Sequence, residues 1–417
     1  IQAIQRIRMD RKSSAFPSNN HTLAFHDHEI APQHGTSTMK LSAVPENPLE
    51  WLARAAGAVP TPILDTLIAL LLARSVMVAT RLDIFEALAG GPLLPDEVAA
   101  RCGTDPSATA KLLSALAGAD YLTYDAGRYG LAPVARKWLL KDSPHSLRDA
   151  ILLQLLDARF IEHLDDFVRS GEPVHMHEGL TTDEWALYMR GMRSGATLAA
   201  SELVRRVPVP SGARAMLDIG GAHGYYSVAL CRRHLDLRST ILDLPEACAA
   251  AAPLLAAEGM GDRVVYQPGN ALTTDLGVET YDLVLIANLA HHFSAGANRA
   301  LVRRIARALR PGGALVFAEV MRPRTPGDAG QAGALADLYF ALTSESGAWS
   351  FEEMAAWQRE AGLIPRKPMR LLTAPGGGLQ IATRPRVRST RFTTDPMAHP
   401  SAHRDPDTHL ASSLTPT

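Results

Sequence analysis

The stretch "MLDIGGAHGYYSVALCRRHLDLRSTILDLP", Met216–Pro245, decides how the chain is read. An apolar run ends in a turn bearing Gly220, Gly221 and Gly224; a helical stretch starts near Tyr225, and a second apolar run ends at Asp243. Glycines at such a turn let the backbone bend sharply and approach a ligand with no Cβ in the way. The N–H groups opening the next helix favour a carboxylate or phosphate. Asp243 stands about 20 residues on, where an acidic residue can accept both ribose hydroxyls. A glycine turn alone is as often purely structural. With a strand before it, a helix after it and Asp243 at that spacing, it predicts a nucleoside ligand, either a nicotinamide dinucleotide or a methyl donor.

Working outward, "AMLDIGG", "STILDLP", "RVVYQPGN", "YDLVLIANL" and "GALVFAEV" alternate with helical stretches such as "ANRALVRRIARALR". That alternation predicts an α/β fold with a parallel, doubly wound sheet and right-handed crossovers over 213–385. At its end "MRLLTA" and "LQIATR" flank "PGGG", close enough to pair antiparallel. A nicotinamide-binding sheet more often continues with parallel units, so this hairpin favours a methyltransferase sheet.

Upstream, 48–170 is helical and rich in Ala and Leu. Within it "PLLPDEVAARCGTDPSATAKLLSALAGADYLTYDAGRYGLA" reads as helix, turn, helix and hairpin, a winged-helix pattern. The second helix offers only Lys111 as a cation, where a groove-reading helix carries several basic or amide side chains. A packing and dimerisation module is therefore preferred to a DNA-binding regulator with a ligand-sensing sheet. Residues 171–212 read as linker helices lining a pocket. The ends, 1–47 and 386–417, are read as disordered extensions, with Met39 the natural start of the folded part. The first residues have no apolar core of a signal peptide, and the histidines of the tail read as solvated rather than metal-binding.

The 417 residues carry 42 Lys+Arg against 43 Asp+Glu, a net charge of -1, so no global field draws the chain to nucleic acid or an anionic membrane. Cys102, Cys231 and Cys248 have unrelated spacings, which argues against disulfides or a zinc cluster and for a reducing cytoplasm. The run "ILDTLIALLLARSVMVA" from Ile63 is interrupted by Asp65 and Arg74 and falls short of a bilayer span, so it reads as a buried amphipathic helix.

The segments "LDIGGAHGYYS", "ILDLPEAC", "RVVYQPGNAL", "YDLVLIANLAHHF" and "LRPGGALVFAEVMRP", in this order after a winged-helix region, resemble the S-adenosylmethionine-dependent O-methyltransferases of the plant caffeate type and their bacterial natural-product relatives. The resemblance covers Leu64 to Arg384. It implies a Rossmann-like class I methyltransferase domain, an N-terminal dimerisation domain, a homodimer, a small aromatic acceptor and S-adenosylmethionine as donor. It also implies that Asp218, Gly220 and Gly224 line the methionine part, that Asp243 and Leu244 hold ribose and adenine, and that Asn270 with Ala271 sits at the adenine edge. Asn270 replaces the family's usual acid, and Ala222 a usual glycine. Met192, in "EWALYMRGMRSGA", matches a methionine that packs near the reactive methyl; core filling by a flexible apolar side chain explains it equally well.

The resemblance assigns His291 the task of taking the proton from the acceptor. A phenol of pKa about 10 needs such help at neutral pH, and an imidazole of pKa about 6.5 supplies it. His292 stands where the family often has Asp. Glu319 matches an acid that orients the histidine; the second such acid is replaced by Ala348, and Glu345 is the expected substitute. "HMHEG", 175–179, has too few ligands for a metal and reads as substrate-contacting or solvated. The same donor could instead serve C-, N- or carboxylate methylation or a non-methylating reaction.

Overall fold

The computed structural model describes residues 42, 44–322, 324–325, 330–374 and 376–386. The expectations for the two terminal extensions fall almost wholly outside them.

Helix α1 (Pro48–Ala55) is opened by Asn47, whose side chain accepts the Glu50 N–H at 3.0 Å. The helical run α2 (Thr61–Arg81) contains a π-turn at Leu64–Ile68. It corrects the sequence reading twice: at 21 residues it is long and apolar enough to cross a membrane by length and composition, and it is mostly uncovered. Only Val76, Ala79 and Thr80 are buried, while Leu70 is 61% and Leu71 56% exposed. Apolar periodicity reports that a helix face wants a partner, not that this chain supplies it.

After α3 (Ile84–Ala87), α4 (Pro95–Cys102) and α5 (Pro106–Gly118), the expected hairpin forms from β1 (Leu122–Asp125) and β2 (Arg128–Leu131). Its turn residues Ala126 and Gly127 both have positive φ, the mirror-image turn that matches strand twist. Phe85, Leu88, Leu113 and Leu116 form the core of this region. Next come α6 (Pro133–Trp138), α7 (Arg148–Ile161), α8 (Leu164–Ser170) and the 25-residue α9 (Thr182–Arg206), which starts in a capping box between Thr181 and Glu184. Gly191 lets α9 lie against α7, because a Cβ there would be 2.6 Å from Cβ of Leu153.

The sheet then builds from β3 (Ala215–Ile219), α10 (Tyr225–Arg233), β4 (Arg238–Asp243), α11 (Pro245–Ala257), β5 (Val264–Pro268), β6 (Tyr281–Ala287), α12 (Ala295–Ala308) and β7 (Leu309–Val320). It continues through α13 (Gly330–Thr343), α14 (Phe351–Glu360), β8 (Ile364–Pro365), β9 (Met369–Arg370) and β10 (Gly377–Thr383). The order is β5-β4-β3-β6-β7-β10-β8, with β9 also on β10. Strands β3 to β7 are parallel and β10 runs antiparallel to β7, Gly377 opposite Val320 through Thr383 opposite Ala314.

The sheet is covered on both faces, and period-2 alternation sorts its side chains between two cores. Leu217, Val284, Ile286, Leu315 and Phe317 pack with Leu301 of α12 and Trp357 of α14. Met216, Leu283, Leu285 and Val316 pack with Leu203 of α9 and Val228 of α10. The expected terminal hairpin is present but short on its first side: only Met369 and Arg370 of "MRLLTA" pair with β10.

Candidate active site

The carboxyl ends of β3, β4, β5, β6 and β7 open onto a cavity of about 760 Å³, roofed by α7, α9 and the segment before α9. This is toward the large end of the roughly 300–1,000 Å³ of small-molecule sites, as a site for two reactants requires. Ligands in open α/β sheets bind at this end of the strands.

The glycine turn forms one wall. Gly220 has φ 68, and a Cβ on it would strike the Leu289 side chain at 2.8 Å. Ala222 occupies the same left-handed region at φ 44. Its conformation is fixed from both sides: its N–H donates to Oδ2 of Asp243 at 2.7 Å and its carbonyl accepts the Tyr266 hydroxyl at 2.9 Å. The other oxygen of Asp243 accepts the Leu244 N–H at 2.8 Å. Each oxygen keeps a further lone pair for a ligand diol. Burial raises the Asp243 carboxyl above the usual range, and the two backbone N–H groups oppose that shift. His223, absent from the sequence reading as a site residue, lines the cavity and accepts the Tyr225 N–H at Nδ1, 3.0 Å. Burial pushes its pKa down to about 3, which keeps the ring neutral and able to accept.

Of the residues expected at the donor, Gly220, Asp243, Leu244, Asn270, Ala271 and Met192 lie in the cavity wall. Asn270 spends Oδ1 on the Leu272 N–H at 2.8 Å, with capacity for one more donor. Two expectations are corrected. Gly224 is not in the wall; at φ 71 it begins α10 one layer behind. Asp218 is buried beneath the turn, accepts the Ser227 hydroxyl at 2.6 Å and is not in the wall. Its Oδ1 has no hydrogen-bond partner among the described residues, and burial lifts its pKa to about 7. The open lone pairs of Asp243 and the close approach that Gly220 permits are the features that fit a nucleoside here.

The second wall is the loop after β6. Asn288 enters it at φ 50, a left-handed step that Asn tolerates. One carboxylate then fixes the loop. Oε1 of Glu319 accepts the Leu289 and Ala290 N–H groups at 2.8 and 2.9 Å, and Oε2 lies 3.2 Å from Nδ1 of His291. Asn298 and the Trp349 ring both donate to the Ala290 carbonyl, each at 2.9 Å. The Glu319 contact assigns the proton of His291 to Nδ1 and leaves Nε2 as the acceptor nitrogen.

His291 itself is only 4% exposed. It is stacked on Phe340 at 4.0 Å and lies 4.2 Å from the His292 ring, and it is His292 that enters the cavity wall. Glu345 also needs correction: it reaches the wall but makes no hydrogen bond to His291, because the turn after α13 leaves it exposed while Ala348 is buried. The "HMHEG" segment, expected to contact substrate or solvent, contributes His175, Met176, His177 and Glu178 to the wall. His177 lies flat on Trp185 at 5.5 Å and edge-on to Tyr188 and His292 at 5.2 and 4.9 Å. Burial, with a smaller effect from His291, pushes its pKa down to about 4. Burial likewise holds His292 well below its ordinary value. Among the described residues no cluster of metal-ligating side chains occurs.

A parallel sheet ending in an antiparallel strand, with a nucleoside-sized cavity at its carboxyl ends, defines a class I methyltransferase. Comparison identifies the family: an O-methyltransferase domain matches 156–363 and an O-methyltransferase dimerisation domain matches 64–141. The chain belongs to this family and is an S-adenosylmethionine-dependent O-methyltransferase. A 3-hydroxy-5-methyl-1-naphthoate 3-O-methyltransferase of Streptomyces sahachiroi is 26% identical over 77% of this chain and 94% of its own length. An acetylserotonin O-methyltransferase of Mus musculus is 28% identical over 71% of this chain and 83% of its own. Among solved structures, human N-acetylserotonin methyltransferase in complex with S-adenosylmethionine matches the fold with a TM-score of 0.68 at 19% identity, covering 82% of this chain and 100% of that one.

Proposed function

We propose that this methyltransferase acts on a phenolic hydroxyl of a small aromatic metabolite, with His291 as general base. The observation that carries the reading is the Glu319–His291 pair at 3.2 Å, which leaves one imidazole nitrogen free to accept a proton. Relatives named for naphthoate and acetylserotonin O-methylation support an aromatic acceptor. Asp243 and Leu244 would hold the ribose and adenine, Asn270 and Ala271 the adenine edge, and the Gly220 turn the methionine part.

When bound, S-adenosylmethionine supplies an electrophilic methyl group whose carbon–sulfur bond breaks as the oxygen–carbon bond forms. The acceptor's proton passes to the base and then to solvent, so the oxygen attacks with negative character. Met192, Trp185 and Phe293 give the chamber apolar walls that keep water from competing. A second reading is favoured by one observation: His292, not His291, is in the cavity wall. His292 would then take the proton, with His291 and Glu319 behind it.

Paired variants separate the two. His291→Ala should lower kcat by about 100-fold or more, the ordinary scale of general base catalysis, with donor affinity by calorimetry nearly unchanged. Wild-type turnover in His291→Ala together with loss in His292→Ala would transfer the role to His292; wild-type turnover in both would remove base catalysis. We also assign the enzyme to the cytoplasm as a homodimer. Three free cysteines suit a reducing compartment, and the dimerisation domain supports self-association.

A further inference from the structure

The acceptor end of the cavity has an unusual charge pattern. Asp157 of α7, Glu178 of the segment before α9 and Glu345 after α13 all line it, and among the described residues no Lys or Arg does. Of the imidazoles in the wall, His177, His223 and His292 are held neutral by burial, and His175 lies in its exposed part. Asp157 is the most enclosed of the three acids. It accepts one hydrogen bond, from the Tyr339 hydroxyl at 2.8 Å, on one carboxylate oxygen. Burial raises its pKa, and the Tyr339 bond only partly opposes that. Asp157, Tyr188 and Asp243 line one and the same cavity, so the acid shares its chamber with the carboxylate proposed to hold the ribose.

A desolvated carboxylate with one neutral partner gains most from a cationic hydrogen-bond donor. An anionic acceptor at this end of the chamber would lose its hydration and meet three carboxylates with no Lys or Arg among the described lining residues to offset them. We infer that the acceptor carries an amine, protonated at neutral pH, that binds Asp157, and that the pocket rejects acceptors bearing an ionised acid. This rests on the reading above that the cavity holds a phenolic acceptor, and it narrows the substrate class to aminoalkyl phenols and their larger analogues. The amine is an anchor away from the methyl group, and the hydroxyl remains the nucleophile.

The test uses two small phenols of matched size, tyramine and 4-hydroxyphenylacetate, titrated calorimetrically into the full chain saturated with S-adenosylhomocysteine. Tyramine should bind at least about tenfold tighter, the scale of one charge-assisted hydrogen bond. Asp157→Asn keeps the shape and a partner for Tyr339, and should reduce that selectivity about tenfold or more, with S-adenosylhomocysteine affinity within about twofold as the check on folding. Equal binding of the two phenols, tighter binding of the carboxylate, binding of neither, or unchanged selectivity in the variant overturns the inference. Failure of S-adenosylhomocysteine to bind overturns the donor reading instead, and the two phenols are then compared on the free chain. Tyramine that binds but gains no methyl group, by mass spectrometry with S-adenosylmethionine, counts against phenolic methylation and leaves the amine site standing.

Discussion

His177 is held neutral by the protein around it, and that has a sign at low pH. Its pKa of about 4 lies below the ordinary 6.5, so the unfolded chain takes up a proton that the folded chain refuses. Stability contributed at this position is full above pH 6.5 and is lost as pH falls from there toward 4. Replacing the ring by a group that does not titrate, His177→Phe, should remove this dependence. In urea unfolding between pH 7 and 4, wild type should lose on the order of 3 kcal/mol relative to the variant. A packing defect in the variant is pH-independent and drops out of the comparison; parallel stability curves would refute the shift. Neither the burial nor the contact could be read from "HMHEG", because the partners of His177 are Trp185 and Tyr188 on the next helix and His292 in a loop after β6. Glu319 was legible because a family motif fixes its place at the end of its strand. Glu345 was not, since spacing along a chain says nothing about the direction in which a turn carries a side chain.

At the scale of elements, the turn from β3 to α10 has its strain in one identifiable residue. Ala222 at φ 44 adopts a conformation costing an L-residue about 1–2 kcal/mol. Ala222→Gly removes that cost but adds freedom to the unfolded chain, so a net gain of about 0.5–1 kcal/mol is expected. Gly224→Ala should do the opposite and destabilise by more than about 1 kcal/mol, because φ is 71 and the new Cβ would lie 2.9 Å from the Ile241 side chain. Denaturant midpoints of the two variants moving in the same direction would contradict this account. The five parallel strands were readable, since alternation assigns each residue a face and the structure uses both faces, whereas the two-residue β8 was not. The first strand of the terminal hairpin was overestimated: the N–H of Leu371 still donates to the Gly377 carbonyl at 2.9 Å, but Leu372 and Thr373 turn their N–H groups to the Glu202 carboxylate instead of to β10.

For the whole molecule, the uncovered face of α2 sets the expected assembly. Leu70 and Leu71 protrude from a helix inside the region matched by the dimerisation domain. Leu71→Asp should convert a dimer to a monomer in sedimentation velocity while the far-ultraviolet helix signal is kept; a variant that sediments as wild type would place the interface elsewhere. Sequence hydrophobicity marked this helix correctly as needing cover and misjudged what covers it, a distinction that a single chain does not encode. A different constraint follows from Glu319, which grips two loop amides and the His291 ring at once. Because that loop is tethered to β7 in the middle of the sheet, its position can be altered only by shifting the sheet itself. Descendants of this enzyme that take up new acceptors are therefore expected to differ in α7, α9 and α13, the replaceable upper half of the chamber, and to inherit the lower half intact.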